Sequence, residues 1–321
     1  MLAHRIEVTE SPQEHLGQRP SRYSGRVDGR TGRRNLPPGC FSVSFAGMYS
    51  AVRSSPFFTL IIALFMRKSI RRYINPETFP VAIKILKDKG KIPSGTRTPL
   101  EDLKVKMAHC QVQAVARKYG WTIALTKEDL GCAISGHTYG WEPANQERWI
   151  DFLTRMNYAA DRTAALNILQ SSRTLQPGQC EAIVYSPLEW TKIVPDIILI
   201  YLNPAQLMRC IHGSTQRTGQ PITCSFSGRA ASCTEGVLGA FLDQSPKVVV
   251  PGNGDRVWAT AQDHEMAYAL PASHLKDLVE GLAQTHQRGI RYPIPSFLRY
   301  QPEVQLSIPL TDIFKPNPLP H

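Results

Sequence analysis

Cysteine is the residue type in this sequence with the widest chemical reach, because a thiolate can bind a soft metal ion or attack an electrophile. Seven thiols are spread along the chain: Cys40, Cys110, Cys132, Cys180, Cys210, Cys224 and Cys233. Their number is odd, their spacing is wide and no CxxC pair occurs, which argues against a disulfide framework. Since no secretory signal precedes them, we expect reduced thiols and a cytoplasmic location.

Two of these thiols, Cys132 and Cys233, lie in or just before the first turn of a predicted helix. Backbone N–H groups and the helix dipole favour negative charge there, so a thiol in that place ionises more readily. The alternative is a small buried apolar residue, the commoner role of a single cysteine. Cys110 lies inside a predicted helix, where packing is the simpler interpretation. His109 and His137 are near these thiols and could ligate zinc or iron, although a structural role is the commoner one.

Two glycine-rich turns carry the candidate anion-binding residues. In the segment 224–233, Ser227, Gly228 and Arg229 can present backbone donors and a guanidinium to an anion. The second turn, at 251–256, contributes Gly254, Asp255 and Arg256. Both segments could equally be plain turns. Neither contains the GK[ST] element of a phosphate loop, so no nucleotide motif is present, and GxSxG and HExxH are absent as well.

Alternating strand and helix patterns place these residues in an α/β protein, which we expect to be one large mixed-sheet core. Strands are predicted at 80–86, 121–125, 182–185, 197–202, 221–226 and 248–250, and helices at 103–119, 145–169, 204–211, 234–241 and 271–283. A further helix is predicted to begin at Thr126, with Glu128 and Asp129 in its first turn, where acids favour the dipole. Asp263 and Glu265 are predicted on a surface hairpin.

The order of these elements contains a faint repeat. The strand at 80–86, the helix at 103–119 and the strand at 121–125 are followed by Cys132 with Gly136. The strand at 197–202, the helix at 204–211 and the strand at 221–226 are followed by Cys233 with Gly236. An ancient duplication that forms one pseudo-symmetric site is therefore a hypothesis.

Charge is distributed unevenly along the 321 residues. Residues 1–72 contain twelve Lys and Arg against four acids, so they carry +8 of the net +11 and leave only +3 on the other 249 residues. A nucleic-acid-binding core should itself be basic, so nucleic acid is not the expected partner. The apolar run 56–66 has about half the length of a membrane span, so no transmembrane segment is predicted.

We expect three regions. Residues 1–65, rich in Arg, Gly, Ser and Pro, are predicted to be a disordered or non-homologous basic extension, for which Met48 or Met66 is an alternative start. Residues 66–305 form the expected core domain, and 306–321 a Pro-rich tail.

An ordered set of short motifs resembles the family called domain of unknown function 169, over residues of roughly 70–290. The motifs are 80–86, Cys110-Gln with Ala116-Arg117 and Gly120, Glu128-Asp-Leu-Gly-Cys132, 201–206, 227–233, Gly254-Asp-Arg256, and Asp263-His-Glu265 leading to Leu270-Pro271. The resemblance implies that Cys110, Cys132 and Cys233 are the family's cysteines and that Cys40, Cys180 and Cys210 are incidental. Members often carry another cysteine before the Gly-Asp-Arg turn, where this chain has Gly252-Asn253. The family implies no established reaction.

Two hypotheses follow. The first is a metal or iron–sulfur protein, with an iron–sulfur cluster or zinc held by Cys110, Cys132 and Cys233, completed by Cys224, a histidine or an exogenous ligand, and served by a redox partner protein. The second is a non-enzymatic module in which Arg229 and Arg256 hold a small anionic ligand or a partner's acidic surface. In the second case Ser227, Gly228, Gly254, Asp255, Glu128 and Asp129 complete the candidate ligand-binding set.

Overall fold

A single antiparallel sheet organises the chain, in the strand order β2-β3-β1-β4-β6-β5. In this computed structural model, residues 70–142 and 145–290 are described. The predicted extension 1–65, the apolar run 56–66 and the tail 306–321 lie outside them, as does Cys40. The strands are β1 Val81–Leu86, β2 Ile123–Thr126, β3 Ala182–Pro187, β4 Ile197–Leu202, β5 Lys247–Val249 and β6 Met266–Pro271.

Helices of three kinds connect the strands. The α-helices are α1 His109–Tyr119, α2 Ala133–Thr138, α3 Gln146–Arg155, α4 Arg162–Ser171, α5 Pro204–Thr215, α6 Gly239–Asp243, α7 Asn253–Val257 and α8 Leu275–Gln287. There are also two π-helices, Pro99–Leu103 and Ala231–Leu238, and two short 3-10 turns, Lys89–Lys91 and Ala272–His274. Residues 70–73, at the start of the described chain, are helical as well. The expected α/β class is confirmed, although the strand pairs of the sheet are all antiparallel where a mixed sheet was expected.

Both faces of the sheet are buried, and strand β4 shows how the sequence achieves this. Side chains alternate between the faces of a strand, so a strand that is covered on both sides reads as a continuous apolar run. Ile197, Leu199 and Tyr201 belong to the core beneath α1 and the π-helix Ala231–Leu238. Their neighbours in sequence, Ile198, Ile200 and Leu202, belong to the opposite core, which α5 and α8 cover.

The strand order has an internal two-fold pattern. From the centre of the sheet outward, the first half places β1, β3 and β2, and the second half places β4, β6 and β5. The halves meet at the antiparallel β1–β4 pair, where Val81 lies opposite Leu199 and Ile83 opposite Ile197. This arrangement agrees with the expected duplication at the level of strands.

The elements of the predicted repeat need correction, however. Residues 221–226 form no strand, and α5 covers the face of the sheet opposite to α1. The element that matches α1 is instead the π-helix Ala231–Leu238, because both precede the outer strand of their half and both pack on the same face. Cys233 therefore corresponds in topology to Cys110, and no longer to Cys132.

Other predicted boundaries shift for local reasons. No helix begins at Thr126, because its backbone N–H and hydroxyl both donate to Asp129 and close a turn. The predicted helix 145–169 is two helices, α3 and α4, with Asp161 as the N-cap of the second. Strand β6 was not predicted, although it is buried beside β4. Within the described ranges, no helix combines the length and apolar character that crossing a membrane requires.

Candidate functional site

Four helix starts meet on the face of the sheet that carries α1. Cys110 lies in the first turn of α1 and Cys132 is the N-cap of α2. Cys233 lies in the first turn of the π-helix Ala231–Leu238, and Asp255 in the first turn of α7. The site thus takes one residue before and one residue after the outer strand of each half-sheet.

We call Cys110, Cys132, Cys233 and Asp255 the thiol cluster, because the charges of these groups influence one another. Burial raises the pKa of Cys110 well above its usual value, and charges on Asp255, Cys132 and Cys233 raise it further. Burial likewise raises the pKa of Cys233 to about 12, with contributions from Cys132 and Asp255. Because such effects fall off with distance, these four groups surround one region. Sequence reasoning had named all four, yet had placed Asp255 in a different set from the thiols.

Three members of this cluster, Cys110, Cys233 and Asp255, each have a partner in the chain. The Cys110 Sγ lies 3.8 Å from the Gly254 carbonyl oxygen, and the Cys233 Sγ lies 3.7 Å from that of Ala230. The Ser232 hydroxyl donates to Asp255 Oδ1 over 2.5 Å, and the Gly252 N–H donates to Oδ2 over 3.1 Å. Burial nevertheless raises the pKa of Asp255 above its ordinary value.

The backbone around Cys233 is bent into an uncommon shape. Ala230 precedes the π-helix with φ at 51°, in the left-handed region that alanine rarely adopts. A run of π-helix is itself rare and is frequent at functional sites. The wide turn lets the Thr234 hydroxyl hydrogen-bond to the Thr138 hydroxyl of α2 over 2.7 Å, which ties the two cysteine-bearing helices together.

A buried polar layer lies beneath the thiols. The His109 Nδ1 lies 2.6 Å from the Tyr185 hydroxyl and 3.0 Å from that of Tyr139. Burial lowers the pKa of His109 to about 3, so this imidazole is neutral at physiological pH. The Gln113 side chain donates to the Tyr201 hydroxyl over 2.7 Å. Sequence patterns single out His109 but not its partners, because the members of the layer come from four separate elements.

Cys224 lies apart from the other candidate ligands. Its sulfur accepts a hydrogen bond of 3.1 Å from the Val248 N–H at the edge strand β5. The groups that it influences are on the opposite face of the sheet, where its charge raises the pKa of Tyr268 after the larger effect of burial. Cys180 and Cys210 are buried, Cys180 with its sulfur 3.6 Å from the Ala182 carbonyl and Cys210 in the α5–α8 core.

The two glycine-rich turns do lie together. A Cβ built on Gly252 would approach the Gly228 carbonyl oxygen to 3.2 Å. Their arginines differ in what they contact: Arg256 donates to the Gln262 carbonyl over 2.6 Å and pairs with Asp263 at 3.4 Å, so it closes its own loop. The Arg229 guanidinium forms neither a hydrogen bond nor an ion pair with any residue that the structure describes.

The remaining candidates of the ligand-binding set have contacts within the chain. Ser227 donates through its N–H and hydroxyl to Glu235, and Gly228 adopts φ at 74°. Asp129 is buried and accepts from Thr126 and from the Leu100 N–H over 3.0 Å. Glu128 is exposed and lies 3.7 Å from Lys89.

A cleft of about 770 Å³ opens beside the thiol cluster. Helices α2, α3 and α4 form one side, and residues 223–230, the π-helix Ala231–Leu238 and α6 form the other. Thr138 and Thr234, the pair that adjoins Cys233, belong to its lining. His137 also lines it and packs against Trp149 with ring centroids 4.8 Å apart.

No three or more His, Cys, Asp or Glu side chains in the ranges 70–142 and 145–290 are grouped closely enough to hold a metal ion. The sulfurs of the thiol cluster therefore lie further apart than the ligands of a bound metal ion, although thiols are suitable donors for one.

Comparison with known proteins gives a family and one relative. The pattern of domain of unknown function 169, described as Uncharacterised ArCR, matches residues 69–281. The uncharacterized protein MJ0308 of Methanocaldococcus jannaschii is 25% identical over 209 residues, which cover 64% of this chain and 88% of that protein. No solved structure matches the chain.

Proposed function

This chain belongs to the domain of unknown function 169 family, and for this member we propose a cysteine-ligated metal or iron–sulfur protein of the cytoplasm. Cys110, Cys132 and Cys233 are the ligands, and a redox partner protein is the expected partner. One observation carries the proposal: Cys233, which is more than 100 positions from Cys110 and Cys132 along the chain, comes close enough to both for the charge of one thiol to shift the pKa of another.

The chemistry of the donor set fits a soft cation. Thiolates select zinc, copper(I) and iron–sulfur clusters, and a bound cation offsets the repulsion that raises the pKa of neighbouring thiols. Three protein thiols leave a fourth position open, which suits a catalytic or substrate-binding metal better than a closed structural one. Asp255 is the fourth member of the cluster, whereas Cys224 lies at the edge strand β5.

Binding requires the sulfurs to move closer than they stand. Each cysteine can change its χ1 rotamer, and Cys110 and Cys132 are only partly buried. Metal binding that completes a loosely formed site is a common form of coupling between ligation and folding. A zinc ion would supply Lewis acidity there and an iron–sulfur cluster would supply electron transfer, while the surrounding chain holds the ligands and excludes water.

Reconstitution tests the proposal directly. The full chain is purified anaerobically and incubated in parallel with Zn²⁺ and with ferrous iron plus sulfide, and bound metal is measured by elemental analysis and visible absorption. We expect about one zinc or one cluster per chain, and a loss of most of it in Cys110→Ser, Cys132→Ser and Cys233→Ser.

Two other cysteines provide matched controls. Cys210→Ala removes a thiol from the opposite core, and Cys224→Ser removes one at the β5 edge, so both should retain full metal content. Well under one equivalent in the wild type, or equal metal in the wild type and Cys132→Ser, would overturn the proposal. Loss of metal in Cys224→Ser alone would mean that Cys224 binds the metal and that the three proposed thiols do not.

The anion-binding alternative keeps one of its two arginines. Arg256 is engaged in its own loop, which removes it from a shared anion site. Arg229 remains, because it lines the cleft and has no partner among the described residues. This observation supports a ligand site distinct from the thiol cluster.

A further inference from the structure

We infer that the cleft beside α3 and α4 binds an amphipathic carboxylate, a molecule with an apolar body and one negatively charged head. The cleft measures about 770 Å³, which lies within the range of small-molecule sites and far exceeds the size of a bare anion. The inference stands apart from metal binding, since no residue of the thiol cluster belongs to the lining.

The wall formed by α3 and α4 is apolar. Trp149 and Leu153 come from α3, and Ile168 and Leu169 from α4, with Ile134 of α2 beside them. Trp149 is fixed by edge contact with Phe152, at 5.5 Å between ring centroids, and by His137. Burial lowers the pKa of His137, so this side adds no positive charge at neutral pH. Such a wall can cover the hydrocarbon part of a ligand.

The rest of the lining carries the charged groups of the cleft, beside Phe226 and Val248. Lys247 and Arg173 both pair with Asp243, Lys247 over 2.7 Å, so these three groups carry a single net positive charge and hold one another in place. Glu235, which accepts two hydrogen bonds from Ser227, offsets that charge, so these groups together are neutral. Of the basic residues in the lining, only Arg229 has a side chain without a partner among the described residues. It lies where serine and threonine hydroxyls line the cleft.

The nature of the head follows from that single guanidinium. Arginine recognises a carboxylate through two parallel hydrogen bonds. A phosphate dianion would call for more than one unpaired cation or for a glycine-rich phosphate loop, and the described lining offers neither. A monocarboxylate with an aromatic or acyl body therefore matches both walls.

The position of the cleft suggests why the ligand would matter. Thr138 and Thr234 line the cleft and hydrogen-bond to each other, and the Thr234 hydroxyl lies 3.7 Å from the Cys233 sulfur. A ligand in the cleft is thus separated from Cys233 by one pair of side chains.

Calorimetric titration of the full chain with 2-naphthoate tests the inference, with 2-naphthol as the uncharged analogue and acetate as the head alone. We expect saturable binding of 2-naphthoate, and binding at least about tenfold weaker for 2-naphthol and acetate. Arg229→Gln should weaken 2-naphthoate by about tenfold or more, the loss expected for a charge-assisted pair. Arg155→Gln is the matched control, since Arg155 is exposed on α3 outside the lining.

A second variant fills the space instead of removing the charge. Thr223→Trp introduces a ring from the exposed segment that borders the cleft, so the fold should tolerate it while 2-naphthoate binding is lost. Equal affinity for 2-naphthoate and 2-naphthol, or unchanged affinity in both Arg229→Gln and Thr223→Trp, would overturn the inference. Retained 2-naphthoate binding in Cys110→Ser would show that the cleft binds its ligand independently of the proposed metal site. Failure of one proposal would then leave the other intact.

Discussion

Arg117 is a fully buried charge that joins helix α1 to the loop before β6. Its guanidinium pairs with Glu265 at 2.8 Å and lies 3.8 Å over the ring of Tyr201. Burial raises the pKa of Glu265, but the charge and hydrogen bonds of Arg117 outweigh it and hold that pKa below its ordinary value. Because both partners are buried, losing one leaves an uncompensated charge in the interior.

Arg117→Met is therefore expected to lower the free energy of unfolding by about 3–5 kcal/mol. Denaturant unfolding of the wild type and the variant measures this difference. Arg117→Met combined with Glu265→Gln removes the stranded charge and should recover part of the loss. If the single variant unfolds at the wild-type midpoint, the pair contributes nothing and our account of this contact fails.

Lys118, the next residue, should make stability depend on pH. Burial lowers its pKa to about 6, with a further effect of Arg117, while the unfolded chain keeps the ordinary value near 10.5. Between these values the unfolded state binds more protons, so stability rises with pH, by at most about 1.4 kcal/mol per pH unit. Below about pH 6 the side chain is charged in both states and the slope disappears.

Comparing wild type and Lys118→Met between pH 6 and pH 8 isolates this effect. We expect the wild type to gain stability relative to the variant as the pH rises, as measured by urea unfolding at several pH values. A difference between the two proteins that stays constant over this range would mean that Lys118 is charged in the fold.

The site residues show what a sequence can and cannot reveal at this scale. The sequence favours core packing for Cys110, because it predicts a helix that begins at 103 and places Cys110 inside it. In the structure Lys104 adopts φ at 58° and ends a separate π-turn, so α1 begins only at His109 and Cys110 falls in its first turn. Glu265 was predicted on a surface hairpin, since its partner is 148 positions away and no local pattern connects the two.

Among the elements, α5 and α8 approach each other more closely than any side chain would permit. A Cβ built on Gly281 would stand 1.9 Å from the Gly213 carbonyl oxygen. Backbone leaves no room to adjust there, so Gly281→Ala should force the helices apart and destabilise the fold by at least about 2 kcal/mol.

Gly239→Ala is the matched control for this prediction. Gly239 is also helical, but its added methyl would meet nothing closer than 3.5 Å. Replacing it should stabilise the protein by about 0.5–1 kcal/mol through helix propensity. Thermal unfolding of both variants decides the matter: similar midpoints for the two would show that the α5–α8 contact is not tight.

Predictions of elements succeeded where the hydrophobic pattern was long and failed where context decided. The sequence predicts strand β4 with its observed bounds, because a run of six apolar residues rich in isoleucine is too short for a typical helix and favours a strand covered on both faces. Strand β6 was missed, since its MAYALP sequence ends in a proline and lacks β-branched residues. The π-helix Ala231–Leu238 was predicted as an α-helix from 234, because no sequence pattern separates the two.

At the level of the whole molecule, the thiol cluster takes two members from each half of the sheet. Cys110 and Cys132 flank β2 of the first half, and Cys233 and Asp255 flank β5 of the second. The halves share only the short β1–β4 pairing within the sheet, over three residue pairs. A sequence could predict the repeat but not its correct alignment, because α5 interrupts the second half with a helix that covers the other face.

A metal held by both halves should therefore stabilise both. Ligand binding to the folded state adds about 4 kcal/mol when free metal exceeds the dissociation constant a thousandfold. Hydrogen exchange of the full chain with and without Zn²⁺ measures which strands this binding stabilises. Strand β3 reports on the first half and β6 on the second. We expect slower exchange in both strands, and loss of the gain in both with Cys132→Ser or with Cys233→Ser, although each variant alters only one half. Protection confined to the half that keeps its cysteines would mean that the thiols bind metal separately and that the cluster does not bridge the duplicated units.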